Sequence, residues 1–254
     1  MKFNIYFFFT FFYFNCYNKI FHSKYCYMCS YSNHKKISNE IDLFNLIKLM
    51  NNSTYFKNKI FFEINIRLSN NEKKFFSLIL SKCRKYLEFG TGGSTLFAYN
   101  TPNIEKIITV ESDKMWIKNI SDSIKNYKNI KKQIIFDYVD IGKVSSWGYP
   151  ISKMKNENFS NYSNQVFKRY KNDYDLVFVD GRFRIACTLQ VILNCKADTK
   201  IIIHDFNNRL YYHILYKYLD IIYSVDTLVL FSIKDDIDIN EVKLDYEKFK
   251  NEPE

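Results

Sequence analysis

The chain has 254 residues and a hydrophobic fraction of 47%, which suits one α/β domain with an extension. Six cysteines are too few for a disulfide framework at this length, so a reducing, cytoplasmic location is expected. The net charge of +10 lies almost entirely in residues 1–84, which hold 13 basic and 4 acidic side chains. Residues 85–254 hold 24 and 23, so the composition argues against a nucleic-acid partner for this part of the chain.

The N-terminal extension, predicted as residues 1–49, is apolar and basic. Its apolar run from Phe3 to Phe14 is shorter than the ~20 residues that span a bilayer, and no small-x-small cleavage site follows it. Three interpretations remain open: a membrane anchor, a disordered tail, and sequence upstream of a true start at Met50. Membrane contact through residues 3–14 is the alternative to a purely cytoplasmic location. The remainder, residues 50–254, is predicted to be the folded domain.

Four potential zinc ligands lie close together in this extension: His22, Cys26, Cys29 and His34. Two thiolates and two imidazoles can bind zinc. The ligands are crowded, and no second knuckle or helix would hold them. Chance occurrence in a compositionally biased segment is therefore the favoured interpretation.

From about residue 72, hydrophobic residues recur with the periods of helices and strands. The predicted strands are 86–89, 107–110, 133–136, 176–179, 201–203, 221–225 and 228–231. The predicted helices are 72–83, a helix from 94, 114–127 (with Trp116, Ile117 and Ile120 inward), 184–195 and 208–219. Residues 142–165 predict a long loop that contains Trp147 and Tyr149, two aromatic residues that would cover a pocket. Residues 235–254 predict a charged, frayed tail.

The order of these elements predicts the fold class. Strands alternate with helices, and the strand 176–179 is continuously apolar, as expected for a parallel strand that is covered on both faces. The last two strands are separated by two residues, Asp226 and Thr227, which allow a hairpin and no helical crossover. We therefore predict a doubly wound, mostly parallel seven-stranded α/β sheet with a C-terminal antiparallel hairpin. Such sheets bind ligands at the carboxyl ends of their central strands.

The first strand-to-helix turn carries the strongest functional signal, in the segment from Glu88 to Thr95. Three of the six glycines of the chain, Gly90, Gly92 and Gly93, fall within four residues there. Glycine permits a tight turn and lets a ligand approach the backbone, and the helix start offers free N–H groups to an anion. The alternative interpretation is a tight turn without a ligand.

The second signal is Glu111, which closes the second predicted strand. It follows Gly90 by 21 residues, close to the offset of about 20 residues at which an acidic side chain binds the ribose of a nucleotide. A carboxylate at that place can accept hydrogen bonds from ribose hydroxyls. Together with the glycine turn, this residue predicts a nucleoside-binding site.

With these residues, the chain from about 70 to 233 resembles the class I S-adenosylmethionine-dependent methyltransferases, which have a Rossmann-like fold. The motifs that carry the resemblance are Glu88 before the glycines, Glu111, Asp140-Ile141 after the third strand, and the terminal hairpin. Val179-Asp180-Gly181 and His204-Asp205 place it nearest the macrocin-type and catechol-type O-methyltransferases. The family often has a third glycine where Ser94 stands, and serine is small and can cap a helix.

The resemblance implies roles for individual residues. The turn Gly90-Thr91-Gly92-Gly93 would pass beside the methionine part of the cofactor, and Glu88 would hold its amino end. Glu111 would bind the ribose. Asp140 would meet the adenine amino group, with Ile141 nearby.

The acids after the fourth and fifth strands are the predicted catalytic centre, together with His204 as a general base. Neighbouring parallel strands bring Asp180 and Asp205 to one sheet edge, where two carboxylates could hold Mg²⁺ and lower the pKa of an acceptor hydroxyl. The alternative is that the charges of Arg182 and Arg184 replace the metal. Arg182 could also clamp an anionic acceptor, or be a surface charge. For His204, a buried histidine with satisfied hydrogen bonds is the favoured alternative.

The resemblance thus implies an enzyme that uses S-adenosylmethionine to methylate an oxygen of a small molecule or sugar, with an anionic acceptor among the candidates. One rival is an NAD(P)-binding oxidoreductase, whose fingerprint needs glycine where Thr95 stands. The other rival is a non-catalytic module that binds nucleic acid or a membrane surface through the basic N-terminal third.

Overall fold

The computed structural model describes residues 65–125, 132–151 and 158–254. The predicted extension 1–49, with its apolar run and its potential zinc ligands, lies outside the described residues. The described part contains seven strands: β1 (Lys85–Phe89), β2 (Lys106–Glu111), β3 (Gln133–Tyr138), β4 (Leu176–Val179), β5 (Lys200–Ile203), β6 (Leu219–Val225) and β7 (Leu228–Ile233).

The described helices are numbered in the same way. They are α1 (Asn70–Leu80), α2 (Gly93–Asn100), α3 (Lys114–Lys125), α4 (Phe159–Arg169), α5 (Arg184–Asn194) and α6 (Ile239–Phe249), with 3₁₀ helices at Ser146–Gly148 and Leu210–Lys217. None of these helices combines the length and the apolar character that crossing a bilayer requires.

The strands form one sheet in the order β3-β2-β1-β4-β5-β7-β6. Strands β1 to β5 are parallel, whereas β7 is antiparallel to both β5 and β6. The apolar side chains of the central strands β4 and β5 are buried on both faces of the sheet. This pattern is typical of strands in a sheet that helices cover on each side. The predicted doubly wound sheet with a terminal hairpin is confirmed. Its strand order reverses between β1 and β4, the place where such sheets bind ligands.

Helix α1 is tied to the far edge of the sheet by one buried acid. Ser69 caps the helix, and its side-chain oxygen accepts from the backbone N–H of Glu72, whose carboxylate in turn accepts from Ser69 N at 2.8 Å. The other oxygen of Glu72 accepts from Thr227 N and Thr227 Oγ1, at 2.9 and 2.8 Å, in the turn between β6 and β7. Glu72 therefore links the start of the described fold to its hairpin.

Two helices lie where the sequence predicted irregular chain. The predicted loop 142–165 overlaps α4, whose buried Phe159, Tyr162 and Val166 share one face. Polar Asn and Ser residues between them obscure the helical period of the apolar residues in the sequence. The predicted frayed tail contains α6, which packs on α5. Asp238 caps α6 by accepting from Asn240 N at 2.8 Å. Burial of one stripe orders a helix even when most of its residues are polar.

Two further predictions were wrong in detail. The segment 208–219 forms the 3₁₀ helix Leu210–Lys217 instead of an α-helix. Trp116 was expected to face inward, but it is 45% exposed. Its indole Nε1 donates to the carbonyl of Thr91 at 2.5 Å, which places the ring beside the glycine turn. Ile120 of the same helix is buried as predicted.

Candidate active site

The turn after β1 is pressed against the turn after β4. Gly90 has φ +101°, in the left-handed region that favours glycine, and its N–H donates to Val110 O at 2.9 Å. A Cβ atom at Gly90 would lie 2.7 Å from the backbone N and Cα of Gly181. Glycine is thus required at both positions because two backbones touch at the strand ends.

The other two glycines of the turn have different surroundings. Gly92 has an extended φ of −177°, and a Cβ atom there would meet no atom within 4 Å. A Cβ atom at Gly93 would lie 2.3 Å from Asn65 O, because the chain before α1 packs on it. The open space of the turn lies at Gly92. Gly93, predicted as a cofactor residue, contacts the backbone of residues 65–66.

Glu111 is held beside this turn. Its Oε2 accepts from Thr91 N at 3.2 Å, and its Oε1 accepts from Ser112 N and Asp113 N at 2.6 and 3.0 Å. Burial raises the pKa of Glu111, and these three amide bonds offset only part of that rise. Oε2 retains a lone pair that can accept a bond from a ligand hydroxyl. The glycine turn and the predicted ribose acid therefore meet.

Glu88 is fully buried at the end of β1, behind the turn. Its Oε2 accepts from Thr95 Oγ1 at 2.6 Å, and its Oε1 accepts from Ser94 Oγ. Burial raises the pKa of Glu88 to about 8 against these two bonds. Ser94 and Thr95 occupy the positions where glycine was considered, and their hydroxyls hold this carboxylate in place.

Asp140 and Ile141 follow β3, two strands away from β1. Asp140 is exposed, and its Oδ1 accepts from Gly142 N at 2.9 Å. Ile141 is buried in the hydrophobic core. The pair thus combines a solvent-facing carboxylate with a core side chain at the same sheet edge.

The loop that carries Trp147 and Tyr149 lies against Glu111. A Cβ atom at Gly148 would be 3.9 Å from Glu111 Oε1, within ordinary van der Waals contact. Trp147 packs on Arg67, whose Cζ is 4.3 Å from the ring centroid, and Tyr149 packs on Arg182 at 4.8 Å. The loop therefore lies over Glu111. The sequence singled out both aromatic residues but gave no sign of Arg67.

Asp180 and His204, which follow β4 and β5, bind each other. His204 Nδ1 lies 2.9 Å from Asp180 Oδ1, and His204 Nε2 lies 3.7 Å from Glu72 Oε2. Burial would raise the pKa of Asp180, but the His204 bond and the charge of Arg184 outweigh it and hold this pKa low. Burial lowers the pKa of His204, and the bond to Asp180 more than reverses that effect. The ring is held between two carboxylates, an arrangement that suits a positioning residue better than a free base.

Arg184 fills the space between the two predicted metal ligands. Its side chain is 3% exposed, and its guanidinium donates to three backbone carbonyls and forms ion pairs with two carboxylates. These acceptors are Gly181 O at 3.0 Å, Asp180 O at 3.2 Å, His204 O, Asp180 Oδ1 at 3.1 Å and Asp205 Oδ2 at 3.3 Å. Arg184 thus supplies the positive charge that neutralises Asp180 and Asp205.

A magnesium ion does not fit this arrangement. Asp180, His204 and Asp205 each offer a ligand atom within 4.8 Å of the others, a spacing that a metal ion could bridge. Asp205 is also bonded by Arg209 Nη2 at 3.0 Å. A cation between these residues would lie next to the guanidinium of Arg184, which is already paired with both acids, so the two positive charges would repel each other. The sequence alternative, in which arginine takes the place of the metal, agrees better with these contacts.

The predicted site residues therefore fall into two groups on one sheet edge. The first group consists of the turn after β1, with its open space at Gly92, and the acids Glu88 and Glu111 next to it. The second group is the network of Asp180, His204 and Asp205 after β4 and β5. The backbone contact between Gly90 and Gly181 joins the two groups. Arg182, the remaining predicted catalytic residue, takes part in no hydrogen bond of that network within the described residues and packs on the covering loop instead.

Comparison with protein-family models gave no match, and comparison with curated proteins gave none either. Among solved structures, the chain is similar to a methyltransferase-like protein from Silicibacter pomeroyi. The identity is 22%, the TM-score is 0.66, and the match covers 74% of this chain and 98% of that one. It is also similar to an SAH-bound methyltransferase from Podospora anserina at 16% identity and a TM-score of 0.44, over 81% of this chain and 100% of that one. The first likeness shows that the chain has the Rossmann-like methyltransferase fold.

Proposed function

We propose that the chain is an S-adenosylmethionine-dependent methyltransferase that methylates a hydroxyl oxygen of a small molecule or sugar. The observation that carries this proposal is the open space at Gly92, with buried carboxylates on the adjoining strands β1 and β2. A neutral nucleoside with a cationic amino-acid end fits such a pair of acids. The fold agrees with this reading but does not by itself choose the reaction.

The cofactor-binding side of the site would use three groups in different ways. Glu111 would accept a hydrogen bond from a ribose hydroxyl through Oε2, since backbone amides already fix its other oxygen. Glu88 would attract the ammonium group of the methionine part. Asp140, exposed after β3, would accept from the adenine amino group. When bound, the cofactor supplies an electrophilic methyl group on a sulfonium.

The acceptor side of the site would use Asp180. Both side-chain contacts of Asp180 within the described residues involve Oδ1, so Oδ2 has no side-chain partner there. Because its pKa is held low, Asp180 stays ionised at neutral pH. It can therefore accept a hydrogen bond from the acceptor hydroxyl and orient the oxygen lone pair toward the methyl group. His204 and Arg184 would keep Asp180 in position, and Arg184 would supply the positive charge without a metal.

The proposed function can be tested by calorimetric titration with S-adenosylhomocysteine and with NAD. We expect S-adenosylhomocysteine to bind in a one-to-one complex and NAD to give no heat of binding. NAD binding without S-adenosylhomocysteine binding would overturn the proposal in favour of an oxidoreductase. Mass spectrometry of incubations with S-adenosylmethionine and hydroxylated acceptors would then identify the product by its added methyl group.

The affinity for S-adenosylhomocysteine is expected to depend on the ionisation of Glu88. The pKa of this carboxyl is about 8 in the free protein, so it is mostly protonated at neutral pH. A bound ammonium group favours the carboxylate, so binding must release a proton below pH 8. The affinity should therefore rise by up to about ten-fold per pH unit from pH 6 and level off above pH 8.

Calorimetry in buffers of different ionisation enthalpy measures this proton release directly. Glu88→Gln is the matched control, because it removes the ionisable group and retains an oxygen for the Ser94 or Thr95 hydroxyl. Its affinity should be weaker and nearly independent of pH over this range. An equally steep pH dependence in Glu88→Gln would assign the proton to another group.

A further inference from the structure

Arg182 is a buried cation with an unused hydrogen-bond donor. The residue is 7% exposed, and its Nε has no hydrogen-bond partner in the described part of the chain. No carboxylate among the described residues lies within 4.0 Å of its guanidinium, in contrast to Arg184. Burying a charged group without a partner is costly. A guanidinium kept in this state is suited to binding an anionic group that enters from outside.

Arg182 lies beside the loop that covers Glu111. Its guanidinium lies over the ring of Tyr149, and its Cγ is 3.8 Å from the place of a Cβ atom on Gly148. It follows Asp180 by two residues in the turn after β4. An anion bound by Arg182 would therefore lie beside Asp180, where the acceptor hydroxyl is proposed to bind.

A carboxylate of the chain itself already lies in this corner. The hydroxyl of Tyr149 donates to Glu254 Oε1, and burial together with this bond raises the pKa of Tyr149. The backbone N–H groups of Phe183 and Arg184, at the start of α5, donate to Pro253 O and Glu254 O at 3.5 and 3.4 Å. These distances are at the long limit for hydrogen bonds, so the segment is held weakly.

The amides at the start of α5 have no partners within their own helix, and the positive end of the helix dipole points toward the same corner. Arg182 adds a formal charge to them, and Tyr149 adds a hydroxyl donor. Three of these groups, the Tyr149 hydroxyl and the amides of Phe183 and Arg184, donate to oxygens of residues 253–254. The Arg182 guanidinium packs on Tyr149 and has an unused donor. Planar donors of this kind match a carboxylate or a phosphate.

We propose that this corner binds an oxyanion group of the methyl acceptor, a carboxylate or a phosphate, through Arg182, Tyr149 and the start of α5. This proposal rests on the proposed methyltransferase function. The carboxylate of Glu254 takes the Tyr149 hydroxyl, and main-chain oxygens of residues 253–254 take the α5 amides, until the acceptor displaces them. The substrate class is thus a hydroxylated small molecule with an anionic group next to the hydroxyl that is methylated. The side chain of Glu254 acts as an internal competitor.

The test compares two probes of the same shape, salicylate and its uncharged counterpart salicyl alcohol, and adds inorganic phosphate as a second oxyanion. Each is titrated calorimetrically into the full chain in the presence of S-adenosylhomocysteine. Glu254→Gln should bind salicylate and phosphate at least ten-fold more tightly than the unchanged protein, because the competing carboxylate is gone. Salicyl alcohol should show no such gain.

Glu247→Gln is the matched control, since it removes the same charge from the surface of α6, where Glu247 pairs with Lys250. It should leave both affinities unchanged. Arg182→Met, made in the Glu254→Gln background, should abolish the gain, whereas Arg182→Lys should retain part of it. The melting temperature of Arg182→Met should equal or exceed that of the unchanged protein, because an unpaired buried charge is removed.

The outcomes separate the two proposals. If S-adenosylhomocysteine binds to all variants but the oxyanion affinities do not respond to residues 182 and 254, the anion site is wrong and the methyltransferase proposal stands. If S-adenosylhomocysteine does not bind at all, the methyltransferase proposal fails. An equal gain for salicyl alcohol in Glu254→Gln would show steric release instead of anion recognition, and would also overturn the anion site.

Discussion

Replacing Gly92 with leucine is expected to abolish binding of S-adenosylhomocysteine while the protein remains folded. The backbone at Gly92 is extended, a conformation that any residue adopts, and a side chain there would enter space free of protein atoms within 4 Å of its Cβ. That space is the proposed position of the cofactor. We expect the affinity to fall by at least roughly 100-fold, which corresponds to about 2.7 kcal/mol. Calorimetric titration measures this loss.

Gly93→Ala is the matched control for this substitution. A methyl group at position 93 would lie 2.3 Å from the carbonyl oxygen of Asn65, so the backbone must shift to accept it. Such overpacking costs about 1–3 kcal/mol, and the melting temperature should fall. Gly92→Leu should melt within a few degrees of the unchanged protein. Retained affinity for S-adenosylhomocysteine in folded Gly92→Leu would remove the observation on which the proposed function depends.

Replacing Arg184 with methionine is expected to have the largest effect on stability. Asp180 and Asp205 would then face each other without the cation between them, and the carbonyls of Gly181 and His204 would lose donors. Breaking a buried ion pair from one side costs about 3–5 kcal/mol. For a domain of this size, the melting temperature should fall by roughly 6–12 °C at the lower end of that range.

Arg209→Met is the control for the loss of charge alone. Arg209 also binds Asp205 Oδ2, but its side chain is 40% exposed, so its loss should cost less than about 1 kcal/mol. Thermal unfolding with and without magnesium separates the two ways of neutralising the acids. Magnesium should partly restore Arg184→Met and leave the unchanged protein unaffected. A chelator that lowers methyl transfer or melting temperature in the unchanged protein would show instead that a metal is required.

The periodic pattern of the sequence was sufficient for the core of the fold. Buried strands such as Leu176–Val179 are continuously apolar, and the two-residue turn at Asp226-Thr227 permits little besides a hairpin, so the sheet could be predicted. Helices α4 and α6 were missed because their buried stripes are narrow and separated by polar residues. Their order comes from tertiary packing, which a local pattern does not contain.

The same division holds for the site. Gly90 and Glu111 could be found because spacing along the chain predicts their meeting at neighbouring strand ends. The distinct neighbours of Gly92 and Gly93 could not be found, because the packing of Asn65 on Gly93 joins segments 28 residues apart in the sequence. The position of Arg184 between two acids likewise depends on a side-chain rotamer. A metal and an arginine were both possible from the sequence, and the geometry favours the arginine.

The backbone contact between Gly90 and Gly181 has a consequence for how a protein with the proposed function could diversify. With no side chain between the two turns, the main chain would set the distance from the proposed methyl donor to its acceptor. Reaction rates fall steeply when reacting atoms are displaced by an ångström. Substitutions in the loop around Tyr149 or at the start of α5 could therefore change which acceptor binds without altering the distance between donor and acceptor. New specificities would be accessible through the rim of the cleft, while the spacing of the reaction stays invariant.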